Sequence, residues 1–294
     1  MNKNKVPTNK PSNTEQSSYS SRSKTVLNDM EIYPVNVEDD EKNNSIAHRN
    51  FDVLLKPPFN AILYGSSQTG KTTGLINIIT RQGMNGGMYG ADEKCRVFDD
   101  IIVISSTLMS DEVIKPLLDI TTATYDYYDD DLIKGIVELQ RQRKARGETK
   151  NVLIIMDDIV TMIKPTAHIF KAMTNARHDR ISIMILVQNV RGTLPPVARS
   201  NAHMVFCWRL HSMKERIKLF EELGFLDSEN EVANMYNHCT KDPYNFMYVN
   251  AKKLKVYKNL TDNIWNRYLD TGQYAPSFSG KKFDDGMLET IIEE

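Results

Sequence analysis

Residues 65–72 read GSSQTGKT and match the phosphate-binding pattern G-x-x-x-x-G-K-[ST] at every fixed position. The apolar run 60–64 precedes this P-loop and predicts a buried strand, while the residues that follow it begin a helix. Glycine lets the backbone wrap a phosphate closely, and the loop N–H groups and the helix N-terminus face the anion. The motif therefore predicts a nucleoside triphosphate site; the alternative is a Gly- and Ser-rich surface loop.

Different side chains of the P-loop are expected to bind different parts of the ligand. Lys71 is expected to reach the β- and γ-phosphates and to act in catalysis, and the Thr72 hydroxyl is expected to bind Mg²⁺. The predicted cofactors are thus ATP and Mg²⁺. The predicted nucleotide-binding residues are Gly65, Ser66, Ser67, Gln68, Thr69, Gly70, Lys71, Thr72 and Thr73.

The composition along the chain predicts one folded domain between two less ordered ends. Residues 1–45 are rich in Asn, Ser, Lys and Thr and predict a disordered polar tail. The P-loop ATPase domain is expected to span 50–260, and 261–294 form a C-terminal extension that is partly disordered. Continuous apolar strands alternate with helices in between, which favours an α/β fold whose mainly parallel sheet is covered by helices on both faces. Right-handed crossovers would carry the P-loop to one edge of the sheet, at its carboxyl end.

Polar residues end two of the predicted strands. The run 152–156 is the strongest strand signal in the chain, and it delivers Asp157 and Asp158 to the carboxyl end of the sheet, as a Walker B strand does. Asp157 is expected to hold Mg²⁺ and Asp158 to polarise the attacking water, unless the pair is only an acidic helix cap. Gln188 ends the strand 181–187 and either senses the γ-phosphate or serves as an ordinary strand-end amide.

Three arginines are candidates for completing the site of a neighbouring subunit, because charge stabilisation in phosphoryl transfer is often supplied in trans. Arg177 and Arg180 flank a predicted turn between a helix and a strand, and Arg199 lies in the run LPPVARSN at 194–201. Each could equally be a contact to a nucleic acid backbone or a surface charge.

Charge is distributed unevenly along the chain. The segment 164–218 holds ten Lys and Arg residues against two acids, whereas 111–131 holds seven acids against one lysine. Such asymmetry suits a surface that faces a polyanion, although solvated helix faces explain it equally well. The three cysteines form no paired motif, which suits a reducing, intracellular compartment. No apolar run is long enough to span a membrane, and no signal peptide is recognised.

The order of these motifs resembles that of the genome-packaging ATPases of poxviruses and giant viruses, within the FtsK/HerA superfamily. The resemblance rests on GSSQTGKT, the strand ending in DD, NARHDRIS at 175–182, the strand ending in Gln188, and LPPVARSN. It implies a RecA-like core, a homo-oligomeric ring, and translocation of double-stranded DNA into a capsid, with capsid vertex proteins as further partners and no membrane. The implied location is the assembly site in the host cell, and the virion. Many superfamily members place Glu where this chain has Asp158.

Other functions remain open at this stage. A cellular ATPase of the same superfamily, acting in conjugation, plasmid partition or DNA-end processing, would carry the same motifs. A small P-loop kinase, a GTPase, or a scaffold that binds nucleotide without turnover would share only the P-loop. The chain lacks the N/T-K-x-D motif with which GTPases read guanine, which disfavours GTP.

Overall fold

A nine-stranded sheet forms the centre of the computed structural model, which describes residues 51–81, 87–90, 97–107, 112–159, 163–192 and 194–265. The spatial order of the strands is β3-β2-β4-β5-β1-β6-β7-β8-β9. The first six strands in this order pair in parallel, and the last three pair antiparallel. The strands are β1 (Asn60–Tyr64), β2 (Asp100–Ser105), β3 (Ala123–Tyr125), β4 (Val152–Asp157), β5 (Ile181–Val187), β6 (Met204–Cys207), β7 (Met247–Asn250), β8 (Lys255–Lys258) and β9 (Asp262–Asn263).

Helices cover both faces of the sheet. They are α1 (Lys71–Thr80), α2 (Lys115–Leu118), α3 (Asp130–Ala145), α4 (His168–Asp179), α5 (Pro196–Ser200), α6 (Met213–Glu222) and α7 (Glu229–Cys239). The longest, α3, follows the rules for helix ends: the Asp129 side chain caps it, acids occupy its first turn and bases its last. Among the described residues, no helix combines the length and apolarity needed to cross a membrane.

The central strands are buried on both faces, so their residues alternate between two apolar cores. Every residue of β4 and β5 is buried. Ile62 and Ile154 face the core formed with α3, α4, α6 and α7, whereas Leu63 and Leu153 face the core formed with α1 and α2. This two-sided burial explains why the strands read as continuous apolar runs in the sequence.

The predicted fold class is confirmed: the sheet is mainly parallel, with helices on both faces. The sequence did not predict the order of the strands: β1 lies between β5 and β6, in the interior of the sheet. The P-loop does follow the carboxyl end of that strand. The short strands β3, β8 and β9 were not predicted, since two to four residues of mixed polarity carry no clear periodicity. The tail predicted over 1–45, and most of 261–294, lie outside the described residues.

Two helical glycines offer a matched test of packing. A Cβ atom at Gly74 in α1 would lie 2.3 Å from Cζ2 of Trp208, whereas a Cβ at Gly135 in α3 would meet nothing within 4 Å. Alanine favours a helix over glycine by up to about 1 kcal/mol, but overpacking a core costs about 1–3 kcal/mol. We therefore expect Gly74→Ala to lower the free energy of unfolding and Gly135→Ala to leave it unchanged or raise it, as measured by urea denaturation. A stabilised Gly74→Ala would contradict the observed contact.

Candidate nucleotide-binding site

A cleft of about 310 Å³ opens where β1, β4 and β5 end, at the carboxyl side of the sheet. Because parallel strands end on the same side, the P-loop after β1, the acidic pair after β4 and the amide after β5 converge there. The cleft is lined by Ser67, Gln68, Gly70, Lys71, Thr72, Thr73, Val113, Asp157, Asp158, Gln188 and Tyr244. The structure thus brings together most of the residues that the sequence singled out.

The P-loop is held in shape by hydrogen bonds to neighbouring strand ends. The Gly65 N–H donates to the Val187 carbonyl at 3.2 Å, and the Thr69 hydroxyl donates to the Ser66 carbonyl at 2.7 Å. Gln68 and Gly70 adopt left-handed backbone angles, with φ of 62° and 98°. Glycine tolerates such angles, and the turn they make precedes the N-terminus of α1. The loop therefore presents its backbone as a preformed phosphate cradle.

Lys71 lies in the middle of this cradle and is buried. Its Nζ donates to the carbonyls of Gly65 at 2.6 Å and Ser66 at 3.0 Å. Burial lowers the pKa of the Lys71 ammonium, while the carboxylates of Asp158 and Asp157 act in the opposite direction. The lysine is therefore a cation between the P-loop and the acidic pair, where a phosphate group would meet it.

The indole of Trp208 packs beneath the P-loop. Cβ atoms added at Gly65 and Gly74 would both lie within 2.7 Å of the Trp208 side chain. The ring is almost fully buried and lies 4.5 Å, between centroids, from Phe246. Two of the glycines in and after the motif are thus required by close packing, in addition to any contact with phosphate.

Asp158 and Gln188 form a hydrogen-bonded pair at the back of the cleft. The Gln188 amide donates to Oδ1 of Asp158 at 2.8 Å. Asp158 has a left-handed φ of 51°, which turns its side chain away from the line of β4. Backbone angles of this kind cost free energy and occur most often at functional sites. The contact joins two residues that are 30 positions apart, and β4–β5 pairing makes it possible.

Thr72 and Asp157 provide the oxygen atoms that a magnesium ion prefers. Asp157 ends β4, is only 5% exposed, and lines the cleft together with the Thr72 hydroxyl. Mg²⁺ is usually bound by one or two carboxylates, with water and substrate phosphates completing its shell. No cluster of three or more metal-ligating side chains occurs within the described ranges, so the arrangement fits that pattern and not an all-protein cage.

Three residues of the site escaped the sequence-based prediction: Trp208, Tyr244 and Val113. Tyr244 lies in the turn between α7 and β7, is 73% exposed, and has a left-handed φ of 65°. Its ring lies 3.2 Å from the position of a Cβ at Gly70. No local motif marks such a residue, because its role follows from the turn that carries it to the P-loop.

Arg177 and Arg180 lie at the amino end of the parallel strands, whereas the cleft lies at their carboxyl end. Arg177 is in the last turn of α4, and Arg180 directly precedes β5, whereas Gln188 directly follows that strand. A seven-residue strand separates its two ends by about 20 Å. Neither arginine can therefore reach the cleft of its own protomer, and a role in a neighbouring subunit stays a prediction.

The Arg199 side chain forms an ion pair and a hydrogen bond within its own chain. Its Nε lies 3.0 Å from the Glu222 carboxylate, and its guanidinium donates to the Leu194 carbonyl. The ion pair ties α5 to α6 beside Tyr64, and both charged side chains are about four-fifths buried. A role in trans would require this pair to separate; that role too stays a prediction.

Residues 117–238 match the family model described as the poxvirus A32 protein. The match confirms the resemblance predicted from the sequence, and it contains both aspartates, Gln188 and the three arginines. It begins after the P-loop, whose assignment rests on its own motif and geometry.

Solved structures share similarity with most of the chain. The genome packaging NTPase B204 of Sulfolobus turreted icosahedral virus 2, in complex with AMP, is 16% identical over 69% of this chain and 98% of its own, with a TM-score of 0.49. B204 of Sulfolobus turreted icosahedral virus, a DNA-packaging ATPase, is 15% identical with the same coverage and a TM-score of 0.48. EssC of Geobacillus thermodenitrificans is 14% identical over 51% of this chain and 32% of its own, with a TM-score of 0.38. No curated protein matches the chain significantly.

The end of the sheet opposite the cleft carries a partly buried histidine that makes stability depend on pH. Nδ1 of His203 accepts a hydrogen bond from the Asn60 N–H at 3.0 Å, which requires the neutral ring. Burial first, then the charges of Lys252 and Arg177, lower the pKa of His203 from 6.5 to about 4.

Between these two pH values the unfolded chain binds a proton that the folded chain does not, so stability falls as the pH falls from 6.5 toward 4. We expect the free energy of unfolding, measured by urea denaturation, to decline less over this range in His203→Gln than in the wild type. His178→Gln, at an exposed histidine, serves as the control and should decline as the wild type does. Equal slopes for all three proteins would contradict the assignment.

Proposed function

We propose that this protein is an ATP-hydrolysing motor that translocates double-stranded DNA and packages a viral genome into a capsid. The observation that carries the proposal is the convergence of Lys71, the acidic pair and Gln188 on one cleft. A P-loop alone binds a triphosphate, whereas a P-loop that faces two carboxylates and a hydrogen-bonded amide has the groups needed for hydrolysis. The match to the poxvirus A32 family supports packaging as the purpose.

In this proposal the P-loop backbone and Lys71 bind the phosphates of ATP. The N–H groups of the loop and the N-terminus of α1 act on the α- and β-phosphates, and the ammonium neutralises charge at the γ-phosphate. Thr72 and Asp157 would hold Mg²⁺, which supplies charge neutralisation between the β- and γ-phosphates when it is bound. The buried position of Asp157 keeps its oxygens oriented toward the cleft.

Asp158 is proposed to accept hydrogen bonds from the attacking water. Its Oδ1 already accepts from the Gln188 amide, so the second carboxylate oxygen is the one that can polarise a water molecule. Gln188 in turn holds the Asp158 carboxylate by this hydrogen bond, and it lines the cleft that would receive the γ-phosphate. The amide thus couples the position of the base to the presence of the triphosphate, which suits a motor that must hydrolyse ATP only in the correct state.

We propose that the protein forms an oligomeric ring. Arg177 and Arg180 lie at the far end of the strands from their own cleft, and in this proposal they act in the cleft of a neighbouring copy. Charge stabilisation in trans is a known route to coordinated hydrolysis, and the basic segment 164–218 would contact DNA phosphates without reading bases. In this proposal, capsid vertex proteins are further partners, and the protein acts at the assembly site in the host cell and in the virion.

The variant Lys71→Ala tests the hydrolysis that the proposal requires. Removal of the buried ammonium leaves the γ-phosphate charge unneutralised, and we expect DNA-stimulated ATP turnover to fall by at least about 100-fold. Lys150→Ala, at an exposed lysine, removes the same charge away from the cleft and should keep wild-type turnover. The assay is phosphate release with and without double-stranded DNA. A wild-type protein that hydrolyses ATP but responds to DNA of no length would refute the motor.

Tyr244 is proposed to contact the base of the nucleotide. Its exposed ring lines the cleft beside Gly70, and Thr72 and Thr73 line the same cleft. Stacking of a base on an aromatic side chain contributes about 1–3 kcal/mol.

We therefore expect Tyr244→Ala to weaken ATP binding about ten-fold and Tyr244→Phe to change it little. Inorganic triphosphate, which has no base, should bind all three proteins equally. Tyr127→Ala, at another exposed tyrosine, should leave both affinities unchanged. Isothermal titration calorimetry measures both ligands, and an equal loss of ATP and triphosphate binding would show that Tyr244 only supports the P-loop.

A further inference from the structure

A second cavity, of about 350 Å³, lies beside the P-loop and has a basic lining. We call it the arginine pocket; its lining residues are Arg209, Leu210, His211, Arg216, Tyr236, Asn237 and Thr240. It lies at the carboxyl end of β6, between the segment 209–211 and the helices α6 and α7. None of its lining side chains is acidic, so a ligand in the pocket would contact hydrogen-bond donors and positive charge.

Arg216 is the unusual member of this lining. Its Nε is buried and has no hydrogen-bond partner, and no carboxylate among the described residues forms an ion pair with Arg216 or with Arg209. The residue as a whole is only partly buried, but a buried N–H donor without an acceptor costs free energy, and such donors normally have one. No described residue of this chain supplies that acceptor.

The two hydroxyl groups of the pocket already form hydrogen bonds to the backbone of its wall. The Tyr236 hydroxyl accepts from the Leu210 N–H and donates to the Trp208 carbonyl, while the Thr240 hydroxyl donates to the Tyr236 carbonyl. Burial raises the pKa of Tyr236 to about 12, so the hydroxyl stays neutral and able to donate. One N–H group of Arg209 also donates to the Lys241 carbonyl, at 3.4 Å. The donors left for a ligand are thus the remaining N–H groups of the two guanidinium groups, with His211 and Asn237.

The same wall is hydrogen-bonded directly to the P-loop. The Ser66 N–H donates to the Arg209 carbonyl at 3.1 Å, and the His211 N–H donates to the Ser66 hydroxyl at 2.9 Å. Trp208, one residue before the pocket begins, packs under Gly65 and Gly74. Any group that restrains the segment 209–211 therefore also restrains the loop that binds the triphosphate.

We infer that the arginine pocket binds a backbone phosphate of DNA and transmits its presence to the P-loop through Ser66. A phosphodiester presents two unesterified oxygens, which suits two guanidinium groups that face one cavity. Both arginines belong to the basic segment 164–218, whose charge suits a polyanion. The inference rests on the proposed function and adds the site at which DNA stimulates hydrolysis.

The test compares Arg216→Gln and Arg209→Gln with the wild type, and uses Lys214→Gln as the matched control. Lys214 carries the same charge on the same helix, is exposed, and does not line the pocket. In both arginine variants we expect the half-saturating DNA concentration for ATPase stimulation to rise about ten-fold. In a plot of log affinity against log salt concentration, the slope should become shallower by about one unit, which is the contribution of one phosphate contact. Lys214→Gln should match the wild type in both measurements.

Three further readouts keep the outcomes separate. Basal ATPase activity without DNA should be unchanged in all variants, and its absence in the wild type would refute the proposed function and not this inference. The Tm of Arg216→Gln should be no lower than that of the wild type, because a buried N–H donor without an acceptor has been removed; a lower value would show that Arg216 has a structural partner. Finally, the wild type is titrated with inorganic phosphate alone.

Two results would overturn the inference. One is normal DNA stimulation in both arginine variants together with normal basal activity, which would leave the pocket to another anion, such as a carboxylate of a second copy. The other is a phosphate-dependent rise in Tm that is lost in Arg216→Gln while DNA stimulation is retained, which would assign the pocket to free phosphate.

Discussion

The packing of the Trp208 indole beneath the P-loop connects the nucleotide site to the core of the protein. The Trp208 side chain fills the space that side chains at Gly65 and Gly74 would need, with its Cβ atom at Gly65 and its ring at Gly74, and the ring packs against the aromatic cluster of β6 and β7. Because the loop lies directly on this rigid surface, its glycines satisfy two demands at once: close approach of a phosphate above and close approach of the indole below. A shift of the β6 end would therefore shift the P-loop itself.

The two ends of the parallel strands carry different functional groups, and the common direction of the strands accounts for the difference. Strand ends at the carboxyl side place Lys71, Asp158 and Gln188 around one cleft, while helix ends at the amino side place Arg177 and Arg180 about a strand length away. One protomer thus presents a site on one side of the sheet and cations on the other.

Several parts of the candidate site were predictable because they follow strong local signals. The P-loop has fixed positions, and Asp157, Asp158 and Gln188 follow apolar runs that end at the carboxyl side of a parallel sheet. The hydrogen bond between Gln188 and Asp158 was not predictable, since it depends on β4 pairing with β5 and on the left-handed backbone at Asp158. Tyr244 and Trp208 were missed for a related reason: each reaches the P-loop from a distant part of the chain.

The sequence by itself determined the alternation of strands and helices, the phosphate-binding loop and the acidic pair, because periodicity and motif spacing are local properties of the chain. Only the tertiary structure decided that β1 lies in the interior of the sheet, that Arg199 is paired with Glu222, and that the buried Nε of Arg216 lacks a hydrogen-bond partner. These facts depend on which residues from distant segments come within a few ångströms of one another. Strand order and side-chain pairing are set by packing across the whole domain, and no local pattern in the sequence encodes them.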